Sequence, residues 1–329
     1  MTTATSVVVT RPGDRDVLET RTTELAPPAP GEVQIEVAAA GVNFIDVYQR
    51  QGVYPMQTPF VLGQEGAGTV VAVGADVQGY AAGDRVAWCQ SQGSEATHVN
   101  KPVSALVRVP DGLDLEMAAA AMLQGLTAHY LVTSTWPVKE GDIALVHAAA
   151  GGVGQLLVQM VNARGGTVVA TAGSDDKCEI ARSLGAAATL NYSDYAEAAD
   201  LAAAVREAAG RGVDVAYDGV GRSTFEASLT SLRPRGMMVL FGGASGQVPP
   251  FDIQRLNQLG SLFVTRPSLG AYVATRAEYE WRAGEVLAAV AEGSLRLQIG
   301  GRYPLSEAAA AYEALEGRRT TGKLLLLPQ

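Results

Sequence analysis

The run from Ile143 through Gln155, Ile-Ala-Leu-Val-His-Ala-Ala-Ala-Gly-Gly-Val-Gly-Gln, constrains this chain more than any other stretch. An aliphatic segment, Ile143 to Val146, gives way to small residues and then to Gly151, Gly152 and Gly154. From Gln155 to Asn162 the apolar Leu156, Leu157, Met160 and Val161 give the segment helical character. A strand, a tight turn and a helix start, in that order, aim backbone N–H groups and the positive end of a helix at one point. Such a point receives the pyrophosphate of a dinucleotide. Ala149 and Gly151 keep the turn tight, and Gly154 lets the helix pack close on the strand. The pattern is Ala-x-Gly-x-x-Gly rather than the full Gly-x-Gly-x-x-Gly, and the same glycines also suit a buried crossover that binds nothing.

Beyond Asn162 the chain keeps to the same alternation. Strands are expected at 167–171, 187–190, 213–217, 237–241 and 261–265, and helices at 175–184, 195–209 and 224–232, the last ended before Pro234. Strands alternating with helices imply parallel βαβ units and a doubly wound sheet. Upstream, the chain reads instead as short strands and turns: 7–9, 32–37, 66–73 and further strand signals to Val109, with a short helix at 43–51 and prolines 27, 28 and 30 in a loop. An Ala-rich helix, 115–132, joins the two styles. The tail carries helices near 276–292 and 306–316 and a terminal strand, 323–327, which must find a partner and most naturally finds it in the first region. With 329 residues the chain exceeds one core. The expected organisation is α/β: a mixed-sheet domain over 1–124, a doubly wound nucleotide domain over 125–266, and a return to the first domain over 267–329.

Charge narrows the partners. A formal net charge of −9 with no basic block argues against nucleic acid and against an anionic membrane surface. No apolar run reaches the ~20 residues of a membrane span, and the N-terminus lacks the charged-then-apolar pattern of a signal peptide. Cys89 and Cys178 have no paired spacing. A soluble cytoplasmic protein is expected. The second nucleotide strand bears on the choice of cofactor. An NAD-selective fold places a carboxylate ~20 residues past the glycines to bind the ribose 2′-OH. Here that strand ends Val169-Ala170-Thr171-Ala172-Gly173-Ser174, with Ala172 at the carboxylate position and Lys177 just beyond. A lysine there offers a point charge to a 2′-phosphate, although Asp175 and Asp176 beside it oppose that charge.

Six motifs, in order along essentially the whole chain, then carry a resemblance: Gly41-Val42-Asn43-Phe44-Ile45-Asp46, Gly63-Gln64-Glu65-Gly66-Ala67-Gly68, Gly83-Asp84-Arg85-Val86, Gln124-Gly125-Leu126-Thr127-Ala128, His147 to Gly154, and Val264-Thr265-Arg266-Pro267-Ser268-Leu269. Together the chain resembles the NADPH-dependent, zeta-crystallin-like quinone oxidoreductases of the medium-chain dehydrogenase/reductase superfamily. The resemblance implies a GroES-like catalytic domain, a Rossmann domain, an active site in the cleft between them, and a homodimer. Zinc-dependent relatives carry Cys at position 43 and His at position 64; this chain has amides, Asn43 and Gln64, so no catalytic zinc is expected. His98, His129 and His147 are scattered and read as packing or hydrogen-bonding residues. Without a Lewis acid the oxidation of a simple alcohol is difficult, whereas an acceptor that is already electrophilic can still take a hydride.

By the same resemblance, Asn43, Tyr48, Tyr54 and Gln64 would line the acceptor side. Tyr54 would offer a ring face and, with Asn43, hydrogen-bond donors to a carbonyl gaining charge. Thr127, Gly151, Gly152, Val153 and Gly154 would contact the cofactor, the last four at its pyrophosphate. Gly173, Lys177 and Tyr192 would surround the adenosine ribose and its phosphate, with Arg318 reaching in from the tail. Phe241, Gly242, Val264 and Arg266 would hold the nicotinamide half. The leading reading is NADPH-dependent reduction of a quinone. Two alternatives stand beside it: an NADPH-dependent enone or 2-alkenal reductase, and an NADPH-binding structural protein of the crystallin kind.

Overall fold

The structure, a computed structural model, describes residues 2–328. They form two compact units, one comprising Met1–Leu126 with Thr275–Gln329, the other Thr127–Ala274.

The first unit is built on β-structure. Strand β1 (Thr2–Val9) pairs antiparallel with β2 (Leu18–Leu25) and with β4 (Phe60–Val61). Strand β3 (Glu32–Val42) lies between β5 (Glu65–Val73) and β16 (Lys323–Leu327), antiparallel to both, and β7 (His98–Pro102) pairs with it too. Strands β6 (Arg85–Cys89) and β8 (Leu106–Arg108) continue past β5, and β15 (Ile299–Pro304) runs parallel to β16. The sheet is therefore mixed. Helix α1 (Phe44–Arg50) follows β3 directly, with Asn43 at its N-cap. Helices α9 (Arg276–Ala291) and α10 (Ala308–Glu316) complete the unit. One core packs Val33, Ile35, Val86 and Trp88 between sheet faces; a second gathers Val9, Val47, Leu62, Tyr312 and Leu326.

Helix α2 (Leu115–Tyr130) carries the chain across the unit boundary and ends in a wider turn, Leu131–Thr135. The second unit is a six-stranded parallel sheet of order β11-β10-β9-β12-β13-β14. Its strands are β9 (Ile143–Val146), β10 (Thr167–Ala172), β11 (Ala188–Asn191), β12 (Val213–Asp218), β13 (Leu232–Leu240) and β14 (Phe263–Thr265). Helices α3 (Gly152–Asn162), α4 (Asp175–Ser183), α5 (Ala198–Ala209) and α6 (Phe225–Ser231) are the crossovers, and α7 (Gln254–Gln258) and α8 (Leu269–Tyr272) flank β14. The order reverses direction beside β9, the switch point at which such sheets take ligands. Leu145, Val169, Val205, Ala216 and Met238 pack its interior.

Several elements differ from expectation, three of them in the second unit. Helix α3 starts at Gly152, three residues before Gln155, because glycines disfavoured inside a helix serve well in a first turn that must approach a strand closely. Helix α5 starts at Ala198 rather than Tyr195. Strand β13 begins at Leu232, where a helix was expected to end, and runs through Pro234. A register shift against β12 between Val213 and Val215 takes up the proline, which cannot donate to a ladder.

Candidate functional site

In the second unit the turn after β9 is closed by backbone. Ala148 takes a left-handed conformation (φ 50°), and Gly151 N–H returns to Ala148 O at 2.9 Å. Ala149 N–H donates to Thr171 O at 3.0 Å, which ties the turn to β10. Gly151 is the N-cap of α3, so Gly152, Val153 and Gly154 supply its first-turn N–H groups. A Cβ at Gly154 would overlap Ala148 O and lie 2.7 Å from the Ala149 Cα, so this position admits only glycine. His147 is buried beneath the turn. Its Nδ1 lies 2.7 Å from Thr171 Oγ1, and burial pushes its pKa down, so it is neutral at physiological pH.

At the end of β10 the structure brings Gly173 and Tyr192 together, because a Cβ on Gly173 would fall 2.5 Å from the Tyr192 hydroxyl oxygen. Ser193 Oγ donates to Gly173 O at 3.2 Å. Ser174 caps α4 and accepts from Lys177 N–H, which sets Lys177 in the first turn. Partial burial pulls the Lys177 ammonium below its usual pKa.

The ends of β12 and β13 are organised by a residue that sequence reasoning missed. The fully buried Asp218 carboxylate accepts from Val220 N–H (2.8 Å), Gly221 N–H (2.9 Å), Thr224 Oγ1 (2.7 Å) and Ser228 Oγ (2.8 Å). Its backbone oxygen accepts from Phe241 N–H at 2.9 Å. The adjoining residues are pressed together, since a Cβ on Gly242 would lie 2.9 Å from the Gly219 Cα and one on Gly219 would lie 2.9 Å from the Phe241 ring. Val264 pairs with Met238 one strand further on; Arg266 follows β14 on the surface, and Thr127 is buried at the start of the unit. The signal for Asp218 was an acid ending an apolar strand just before Gly-Val-Gly.

In the first unit the four acceptor-side residues fall into three settings. The rings of Tyr48 and Tyr54 meet edge to face, 5.5 Å apart, with Tyr48 half-buried and Tyr54 40% exposed. Gln64 donates through Nε2 to Gln92 Oε1, and among the described residues no other group engages its amide. Asn43 is different. Its Nδ2 donates to Glu65 Oε1 at 2.6 Å and to Gly41 O at 3.2 Å, while its Oδ1 accepts from Lys323 Nζ at 2.8 Å. The Asn43 amide nitrogen thus has partners inside the protein in this arrangement. Arg318, also in this unit, is an exposed residue with φ 54° just past α10.

Asn43 belongs to a buried ionic cluster that the sequence did not announce. Lys323 and Glu65, 1% and 0% exposed, form an ion pair, and Glu65 Oε2 also accepts from Leu123 N–H at 2.5 Å. Asp46 accepts from Asn43 N–H at 2.9 Å, and burial raises its pKa to about 7 against the pull of that bond and of Lys323. Glu95, buried beside Tyr312 and Asp46, is pushed up for the same reason. Among the described residues no three His, Cys, Asp or Glu side chains are grouped so as to hold a metal ion, and no helix is long and apolar enough to cross a membrane.

Comparison with known proteins places these arrangements. Residues 29–138 match the family model of the alcohol dehydrogenase GroES-like domain, and residues 152–288 that of the zinc-binding dehydrogenases. The chain is 43% identical over 321 residues to the quinone oxidoreductase of Pseudomonas aeruginosa, covering 96% of this chain and 97% of that one. It is 40% identical to a 2-haloacrylate reductase of Burkholderia, covering 98% and 99%. The crystal structure of Escherichia coli quinone oxidoreductase complexed with NADPH superimposes with a TM-score of 0.95 at 40% identity, covering 98% of this chain and 100% of that one. With likeness of this extent in both sequence and structure, the chain belongs to the quinone oxidoreductase family of the medium-chain dehydrogenase/reductase superfamily.

Proposed function

We propose that this protein is an NADPH-dependent quinone reductase that uses no metal. The observation that carries the reading is the full-length likeness to a quinone oxidoreductase solved with NADPH. The residues fit that cofactor. A turn with no room for a side chain at Gly154 suits a pyrophosphate, Ala172 leaves the end of β10 without a carboxylate, and Lys177 supplies a cation in the next helix. When bound, NADPH supplies the hydride. Gly151 to Gly154 hold its pyrophosphate; Gly173, Lys177, Tyr192 and Arg318 its adenosine ribose and 2′-phosphate; Phe241, Gly242, Val264 and Arg266 its nicotinamide half; and Thr127 is a further cofactor contact. On the acceptor side Tyr48 and Tyr54 offer ring faces to a planar quinone, and Gln64 directs its amide at a carbonyl oxygen that gains charge. The acceptor takes one hydride and one proton and leaves as hydroquinone.

The test is a steady-state comparison of NADPH oxidation with 9,10-phenanthrenequinone and with a short enone or 2-haloacrylate. The likeness to a 2-haloacrylate reductase favours activated alkenes as the second reading. Quinone turnover at least tenfold more efficient, about 1.4 kcal/mol in the barrier, supports the first; NADPH binding without turnover of any acceptor would leave a structural protein. Lys177→Ala is expected to lower NADPH affinity ~10- to 100-fold while NADH affinity holds, the equivalent of one charge-assisted bond. Fluorescence titration of both nucleotides at one salt concentration checks this, and an equal loss for both would contradict it.

A cytoplasmic homodimer completes the proposal. Strand β14 is the edge of its sheet, and Phe263 on it is 55% exposed, with Ile253 nearby in sequence 68% exposed. An apolar edge of this kind invites pairing with a second copy. Phe263→Lys is expected to halve the sedimenting mass with circular dichroism unchanged, and a wild-type monomer would refute the pairing.

A further inference from the structure

Lys101 is the one lysine of β7, and its side chain is buried at 2% exposure beside the core of Val33, Val86 and Trp88. Its ammonium lies 5.6 Å from the Trp88 ring and has no carboxylate partner among the described residues. Burying an amine without a counter-ion is strongly unfavourable unless its N–H groups are satisfied. Lys101 satisfies them on one turn: Nζ donates to Ser91 O at 2.9 Å and to Gln92 O at 2.5 Å. Burial draws its pKa down to about 7. A neutral amine still has two N–H groups, so both carbonyls keep their donor on either side of that value.

The turn that Lys101 grips is the one that holds Gln64. Gln92 accepts from Gln64 Nε2 through its side chain, and its own amide donates to Val61 O at 2.7 Å. Ser91 N–H donates to Gln64 O at 3.3 Å, and Gly93 N–H to Gly63 O at 2.8 Å. Gln64 is thus clasped at backbone and side chain by residues 91–93, and the carbonyls of that segment have a buried amine beneath them. We propose that Lys101 is a positioning residue, fixing the Ser91–Gln92 turn so that Gln92 holds the Gln64 amide in place for the acceptor. The inference rests on the reading of Gln64 as an acceptor-side residue.

The experiment joins two readouts on the full-length protein: hydrogen exchange of the 89–95 segment, and steady-state kinetics with NADPH and 9,10-phenanthrenequinone. Lys101→Met is expected to speed exchange in that segment at least ~10-fold. It should also raise the quinone KM about fivefold or more, leave the NADPH dissociation constant within about twofold, and lose its kinetic effect in a Gln64→Leu background. Unchanged exchange, or effects on KM that simply add in the double variant, would overturn the proposal while leaving the role of Gln64 intact. Faster exchange with an unmoved KM in both single variants would overturn the reading of Gln64, and the proposal with it. If Lys101→Met does not fold, Gln92→Leu, which keeps the buried amine and removes the link to Gln64, must raise the quinone KM in the same way, and an unchanged KM there refutes the proposal.

Discussion

Asp218→Ala is expected to destabilise the protein by about 4 kcal/mol, because two backbone N–H groups and two hydroxyls lose a charged acceptor in a site that water does not reach. Each such bond to a charge contributes about 1.5–3 kcal/mol, and the hydroxyls recover part of the loss by turning to other acceptors. Function should suffer with stability. The Val220–Gly221 turn stands beside Gly219, whose backbone packs against Gly242, so loosening it should weaken NADPH binding ~10-fold even where the variant remains folded. Asp218→Asn keeps one acceptor oxygen and should fall between the two proteins. Urea titration followed by cofactor fluorescence measures both effects. A loss below about 1 kcal/mol would show that the carboxylate is replaceable there.

Lys323→Met should destabilise by about 3–5 kcal/mol, since it leaves Glu65 charged, buried and uncompensated. Adding Glu65→Gln should restore at least half of that loss, because the charge that needed a partner is gone. Failure of the second substitution to recover anything would mean that packing, not charge, dominates the site. The cluster also dictates a pH response. Asp46 holds its proton to about pH 7 when folded but to about 4 when unfolded, facing Lys323, Glu65, Glu95 and Tyr312 in the interior. Between those values the folded chain binds more protons than the unfolded one, so the Asp46 contribution to stability is full below about pH 4 and is lost as pH rises to about 7. Asp46→Asn should flatten that part of the profile, as read by thermal unfolding at about pH 5 and about pH 7.5.

Much of the second unit was legible in the sequence because its rules are local. Short aliphatic runs between turn residues announce parallel strands, and β9, β10, β12 and β14 lie within a few residues of their expected places. The first unit hid more. Strand β2, Leu-Glu-Thr-Arg-Thr-Thr-Glu-Leu, is an exposed edge with six outward-facing polar residues and shows no apolar alternation. Strand β15, with its Gly300-Gly301 pair and Pro304, lacks strand propensity and is held by β16 instead. The buried charges were the least legible of all. A single Lys before four leucines, or a Glu between Gln64 and Gly66, looks like an ordinary surface residue until the tertiary pairing shows that Lys323 and Glu65 serve one another. Of the site residues, the glycine turn announced its geometry, whereas the engagement of Asn43 by Glu65 and Lys323 depends on contacts 22 and 280 residues distant.

Strand β16 also governs the order of events during synthesis. Its ladder partner β3 and its ionic partner Glu65 leave the ribosome early, Glu65 by 258 residues before Lys323, and every strand of the parallel unit has emerged by then. The nascent chain must therefore carry an open sheet edge, and Glu65 must wait for its ionic partner, until Lys323 has emerged, the period in which chaperone contact matters most.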